Sequence, residues 1–482
     1  MIRRFILWGT LALVVSGFTT TTTTKTTTAS QLRLGNSHLP SSSFAGALQR
    51  TNQRQRSWIR FSQSTSSNDS NKEEEEEDVK EDVSSTTTTS ATTTTKKSTS
   101  VGSRVVPLER GVESVEKFAR LPVWPVLNGL FLFVVSRLLG NTVASEWEDR
   151  IGGRVCPNFF STNRADPFIM LVHHCHTFAP WDPLRYIQRA LILPEGFPAH
   201  PHRGFVTVTY FLKGGFRHRD SMGIQQTYGA QAHNHQKHTQ WLTTGAGILH
   251  EEMFDNHHHH DESSLTNGFD WFPKTSSHEL YQLWLNLPAR DKLMSPRIDL
   301  LGGPDETPIV TTTTKEEDQV QTETVVIAGT HQNQTSTAPV RSDVTILHVR
   351  MKPGSVWGHE FPINHETAIV YMRQGRVDIV TTTATTTSID PHHTAYLQPF
   401  GKRLTVQTEK GADFLLLAGE PLREPVSAQG SMVMNTPDQI NNAYSDYQQG
   451  LMGLPWDHKL TDEEWKQHVQ MYPSRFTVQN DE

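Results

Sequence analysis

From residue 154 onward, short runs of β-branched and aromatic residues alternate with Gly, Pro and Asp, as at 168–172, 205–212, 282–287, 344–351 and 368–372. Apolar runs this short, bounded by turn formers, predict strands, and their repeated recurrence predicts an all-β sandwich or barrel. A Thr- and Glu-rich interval at 301–342 reads as a linker. It divides the β region into two halves of similar size, 150–300 and 343–450, and leaves a tail at 451–482. A Thr-rich insert at 381–387 widens a loop of the second half.

Upstream the pattern is different. Two arginines precede the apolar run 5–18, which gives residues 1–18 the layout of a signal peptide or signal anchor. The run is shorter than the roughly 20 apolar residues needed to cross a bilayer, which favours cleavage over anchoring. Residues 19–120 hold Thr tracts, Ser clusters and the acidic run 73–78. Such a composition buries too little apolar surface to offset chain entropy and predicts disorder. Its first part carries Lys25, Arg33, Arg50, Arg54, Arg56 and Arg60 and no acid up to residue 64, like a transit peptide. Entry to the secretory pathway followed by such a stretch suits import into a plastid bounded by extra membranes. A secreted or endomembrane protein with a flexible stalk is the alternative. Over 121–145 a helix is predicted, since Trp124, Leu127, Leu130, Phe131, Val134, Val135 and Leu138 share one face. That face either packs on the folded domain or contacts a membrane surface through residues 121–139.

Only 35% of the 482 residues are hydrophobic, so part of the chain lies outside any core. A net charge of −7, with no basic stripe interleaved with aromatics, argues against direct nucleic-acid binding. Two cysteines, Cys156 and Cys175, provide neither a disulfide framework nor a CxxC pair. Histidine is the unusual component, at 24 residues, and imidazole is the commonest metal ligand.

Two histidine words suggest where metal chemistry resides. In His200-Pro201-His202 the rings are two residues apart and project from one face of a strand. The proline between them lacks an N–H and belongs at a sheet edge or strand start. Further on, His250 and Glu252 share one strand face in the same way. Together the pairs offer three imidazoles and a carboxylate, a donor set suited to Fe(II), Mn(II), Ni(II) or Cu(II) rather than calcium. A HxH pair alone is a weak signal, because exposed histidine pairs are common.

The surrounding words are more specific. FPAHPHRGF at 197–205, HRDSMG at 218–223, GILHEEM at 247–253, QLWLNLPA at 282–289, GEPLREP at 419–425 and VMNT at 433–436 resemble, in order, the signature segments of the pirin family. The resemblance covers most of 153–450. It implies two cupin (jelly-roll type) β-barrels in tandem in one monomeric chain, with a mononuclear iron in the N-terminal barrel held by His200, His202, His250 and Glu252. Glu251 is adjacent, but only Glu252 shares the face of His250. The resemblance further implies a dioxygenase of the quercetin 2,3-dioxygenase type, using O₂ to open the heterocycle of a small aromatic flavonol, with Glu252 also taking up the hydroxyl proton. Phe205 or Trp241 is a candidate to pack the flat rings. A non-catalytic, iron- and redox-responsive regulatory binding protein is the alternative, since nuclear pirins act as cofactors of transcription factors.

Other histidines read differently. His174 and His176 share a strand face and suggest either a place near the metal or a rim or surface strand. His233, His235, His238 and the run 257–260 fall in insertion-like polar stretches and read as exposed loops. His359 and His365 lack the ligand spacing and read as structural or surface residues. Val206 stands where pirins often carry a glutamate, so a second carboxylate is missing beside the first histidine pair.

Overall fold

The computed structural model describes residues 108–118, 121–122, 126–140, 143, 154–178, 194–230, 237–255, 276–313, 319–381 and 386–477. The signal-like run 1–18 and the low-complexity region to residue 107 lie outside the described residues, as do the histidines at 233, 235 and 257–260. Strands dominate, and they form two barrels of like design, each built from a seven-stranded and a four-stranded antiparallel sheet.

In the N-terminal barrel the large sheet runs Arg297–Gly302, Lys237–Thr243, Phe205–Lys213, Ser276–Asn286, Phe168–Phe178, Arg154–Phe159 and Leu121–Pro122. Its small sheet runs Gly196–His202, Ile248–Phe254, Gly215–Asp220 and Gln225–Gly229. The C-terminal barrel repeats the plan. Its large sheet runs Val112–Lys117, His393–Leu397, Thr367–Gly375, Ala412–Gly419, Val344–Met351, Val320–Ala328 and Ile309–Thr313. Its small sheet runs Val356–Glu360, Arg403–Gln407, Val377–Val380 and Thr386–Ile389.

The two large sheets contribute side chains to one shared core. Val206, Val208, Tyr210, Trp241, Leu283 and Leu285 from the first meet Ile327, Ile346, Ile369, Tyr371, Leu415 and Leu417 from the second. Strand alternation sends the intervening side chains into each barrel. Phe211 faces the aromatic core of the first with Phe216 and Phe254, and Val349, Val370 and Leu416 fill the second. Consecutive apolar residues in these strands, as at 414–417, follow from the burial of both faces.

Three segments differ from the sequence expectation. The interval 301–342, read as a linker, carries strands Ile309–Thr313 and Val320–Ala328 of the C-terminal barrel. Threonine is β-branched and suits an exposed edge strand as well as a linker. The region 19–120, read as disordered, contains Val112–Lys117, which pairs with His393–Leu397 at a sheet edge. Its polar VESVEK sequence has no apolar run, since it pairs with one neighbour only. The tail 451–482 carries a helix, Asp462–Met471, started by a capping box between Thr461 and Glu464. Trp456, Trp465 and Val469 pack there with Leu249 of the N-terminal barrel and with Met432, Met434 and the helix Pro437–Gln448.

The predicted helix at 121–145 spans Val126–Leu139, and Leu121–Pro122 pairs with Val155 and Arg154 at the sheet edge. Of the side chains described in its second half only Val135 is buried, while Phe133, Val134, Leu138 and Leu139 are exposed. Among the described residues no helix is long and apolar enough to cross a membrane.

A group of polar side chains at the inter-barrel interface is paired. Arg373 donates to both carboxylate oxygens of Glu279 at 2.7 and 2.7 Å and to Asp413 at 2.9 Å. Asp413 also meets His348, which meets the Tyr210 hydroxyl. Burial alone would raise the Glu279 pKa, but hydrogen bonds and charge from His173 and Arg373 outweigh it and hold the carboxyl well below its usual range. Removing one partner of such a buried pair costs about 3–5 kcal/mol. Arg373→Ala is accordingly expected to lower the unfolding free energy by about 3 kcal/mol in denaturant titrations. A depressed carboxyl stabilises the fold above its unfolded pKa of about 4.3, and that stability is lost as pH falls toward the folded value. Acid unfolding followed by circular dichroism should therefore be shallower below about pH 4 in Glu279→Gln than in the unchanged protein.

Candidate metal centre

The first histidine pair lies on Gly196–His202, the edge strand of the small N-terminal sheet, where the missing N–H of Pro201 is tolerated. Its partner strand, Ile248–Phe254, places His250 directly opposite His200 and Ile248 opposite His202. Gly204 ends the motif at φ +86°, and a Cβ there would lie 2.0 Å from the Val433 carbonyl oxygen. Only glycine fits this turn.

The strands bring His200, His202 and His250 together, with one ligand atom from each lying within 4.8 Å of the others. Ring centroids are 4.4 to 4.8 Å apart. The Nδ1–H of His200 donates to the Pro198 carbonyl at 2.8 Å, which leaves Nε2 as its lone-pair nitrogen. Nδ1 of His202 and both ring nitrogens of His250 are buried without a hydrogen-bond partner among the described residues. Burial pushes the His200 pKa down to about 4 and those of His202 and His250 well below the ordinary value, helped by the neighbouring rings. Three neutral imidazoles, with unmet nitrogens on His202 and His250, fit a divalent transition-metal ion, which would satisfy buried groups that are otherwise costly to leave unpaired.

Glu252 lies on the same interior face but outside this mutually close set. Its carboxylate accepts from Gln282 Nε2 at 3.1 Å and from the Thr209 hydroxyl at 3.5 Å. Burial pushes its pKa up to about 7, and the charge of His218 and those hydrogen bonds offset only part of the rise. Glu251 faces the other way. It accepts from Arg219 Nε at 2.5 Å and from the Trp456 indole at 2.8 Å. Arg219 in turn donates to the Leu460 and His458 carbonyls at 2.9 and 3.3 Å, so the C-terminal segment grips the back of the strand that carries His250 and Glu252.

Three further residues border the site that spacing alone did not single out. His218 is fully buried, with its ring 5.4 Å from that of His250 and its Nε2 3.2 Å from Asp220. Trp284 packs at 5.5 Å from His202 and 4.3 Å from Phe205, and its buried indole N–H has no partner among the described residues. Gln282 holds Glu252. All three fall within the signature segments, and strand alternation puts Gln282 and Trp284 on one face. Trp241, by contrast, belongs to the inter-barrel core, as does Val206, so neither faces the histidines.

The remaining histidines have other surroundings. His174 and His176 are not on a rim or surface: they are buried in the N-terminal barrel, 3.3 Å apart and packed on Phe197 and Phe254. His238 lies on the strand Lys237–Thr243, not in a loop, and meets Thr307 and Thr239. In the C-terminal barrel the equivalent edge strand carries Trp357 and His359 opposite Val406 and Leu404. His359 meets His331 and His365 meets Asp343; both are buried.

Tandem cupin barrels with a three-imidazole cluster in the first define a bicupin. The family models for pirin and for the pirin C-terminal cupin domain match residues 153–285 and 346–453, and the chain belongs to the pirin family. It is 35% identical over 264 residues to a pirin-like protein of Solanum lycopersicum, covering 54% of this chain and 78% of that one. A Pseudomonas aeruginosa protein named provisionally as a quercetin 2,3-dioxygenase is 30% identical over 310 residues, covering 61% and 89%. The crystal structure of a quercetin 2,3-dioxygenase from Acinetobacter baumannii, 24% identical, superposes with a TM-score of 0.52 over 72% of this chain and 99% of that one, and shares the fold.

Replacing His250 by Ala is expected to abolish Fe(II) binding at the His200, His202 and His250 cluster in calorimetric titrations. The double change His174→Ala and His176→Ala should leave that binding in place, because those rings meet each other and not the cluster.

Proposed function

We propose that His200, His202, His250 and Glu252 hold one divalent metal ion, Fe(II) by preference with Mn, Ni or Cu as substitutes, and that the protein is an O₂-using dioxygenase acting on flavonol-type substrates. The observation that carries this reading is the cluster of His200, His202 and His250, with unmet nitrogens on His202 and His250 and the buried Glu252 carboxylate two residues along the same strand. The name of the Pseudomonas aeruginosa relative supports the substrate class.

When bound, the metal would lower the pKa of the substrate's 3-hydroxyl and bring O₂ beside the activated carbon. The chain's residues supply the remainder. Glu252, buried two residues from His250 on the same strand face, would take up the hydroxyl proton as general base. Gln282 and Thr209 orient that carboxylate. Phe205 and Trp284 offer aromatic surface beside His202 for the flat rings, and the Trp284 indole N–H is placed to donate to a substrate oxygen. Burial of His250 and Glu252 keeps bulk water from the reacting atoms.

The test is turnover by the full chain loaded separately with Fe(II), Mn(II), Ni(II) and Cu(II), followed by flavonol absorbance in air. Loss of substrate with release of carbon monoxide is expected. Stable absorbance with every metal sinks the flavonol assignment and favours an iron-responsive binding protein. Glu252→Gln is expected to retain metal by elemental analysis while turnover falls by about 100-fold or more, the usual range for a lost general base.

A further inference from the structure

The cluster Cys156, His173 and His392 lies at the inter-barrel interface, apart from the first site. Cys156 stands directly opposite His173 on the neighbouring strand of the N-terminal barrel. His392 comes from the C-terminal barrel, at the turn that precedes His393–Leu397. One ligand atom from each lies within 4.8 Å of the others, and Cys156 Sγ is 4.0 Å from His392 Nδ1. All three are buried.

We propose that Cys156, His173 and His392 form a second metal site that joins the two barrels and takes a thiophilic, tetrahedral divalent cation of the zinc type. Three features of the geometry support it. First, the set combines a thiol with two imidazoles, the donors that zinc prefers. Secondly, His173 Nε2 meets Glu279 at 2.8 Å while Arg373 holds that carboxylate in place. A carboxylate behind a ligating histidine fixes its tautomer and turns the other nitrogen, here Nδ1, toward the ion. Thirdly, the Tyr371 hydroxyl lies 2.9 Å from His173 Nδ1 and 3.5 Å from His392 Nδ1, where it can serve as fourth donor or hold a ligating water.

Zinc with bonds of about 2.0 Å to nitrogen and 2.3 Å to sulfur makes a tetrahedron with edges of roughly 3.3–3.6 Å. The observed 4.0 Å between sulfur and nitrogen is within a small side-chain adjustment of that edge. Binding would release the Cys156 thiol proton to solvent, and the thiolate would become the ligand. Because the donors come from both barrels, the ion would act as a cross-link on the folded state alone.

Sulfur makes the second site separable from the first, whose donors are nitrogen and oxygen. Titration of the full, metal-free chain with Co(II) is expected to raise a near-ultraviolet thiolate-to-cobalt charge-transfer band. The band should vanish in Cys156→Ser and persist in Cys175→Ser and in His250→Ala. Zinc should also raise the melting temperature of His250→Ala. No thiolate band in the unchanged protein, or a band lost with Cys175 but kept without Cys156, overturns the proposal. If Cys156→Ser does not fold, the unchanged protein and Cys175→Ser still decide it.

Discussion

Burial of the large sheets on both faces is the constraint on which the rest of the structure depends. A strand with no solvent side must carry either apolar side chains or polar ones that find partners, because an unpaired buried polar group costs several kcal/mol. Phe205–Lys213 shows the result: Val206, Val208 and Tyr210 enter the shared core, while Phe211 fills the first barrel and Thr209 reaches Glu252. Polar groups at the interface form one connected chain from Tyr210 through His348, Asp413, Arg373 and Glu279 to His173 and Tyr371. Each link has a direction and a length, so the chain fixes how the barrels meet in a way that apolar contact does not.

The ends of the described region cross between the barrels. Val112–Lys117 extends the sheet of the C-terminal barrel, and just before it Arg110 is buried against the His365 and Gly401 carbonyls. The last helices cover the N-terminal barrel, where Arg219 and Trp456 hold Glu251. Glu251 sits between His250 and Glu252 in sequence and faces the opposite way, so the strand that holds these candidate ligands is supported by the C-terminal segment. The same strand carries the candidate site on one face and its anchor on the other.

Much of the site was legible because strand geometry repeats every two residues. His200 with His202, and His250 with Glu252, are pairs that a strand puts on one face, and that rule also separates Glu252 from Glu251. The signature segments extended the reading to the whole bicupin. His218, Gln282 and Trp284 lay inside those segments, yet nothing in their spacing marked them, because they enter the site from separate strands. Edge strands were misread for a related reason. Val112–Lys117 and Ile309–Thr313 have one paired side and partly exposed faces, so they lack the apolar run that identifies an interior strand.

The sequence by itself determined the alternation within strands and the histidine pairs, because these are local properties read over a few residues, and its signature segments carried the two-barrel plan by resemblance. Tertiary structure alone decided which distant groups meet. It turned Trp241 and Val206 into the inter-barrel core, left the Glu252 carboxylate on Gln282 and Thr209, and brought Cys156 and His173 to His392 across the interface. Those meetings depend on how two sheets twist and pack against each other, and side-chain spacing along one strand carries no record of that.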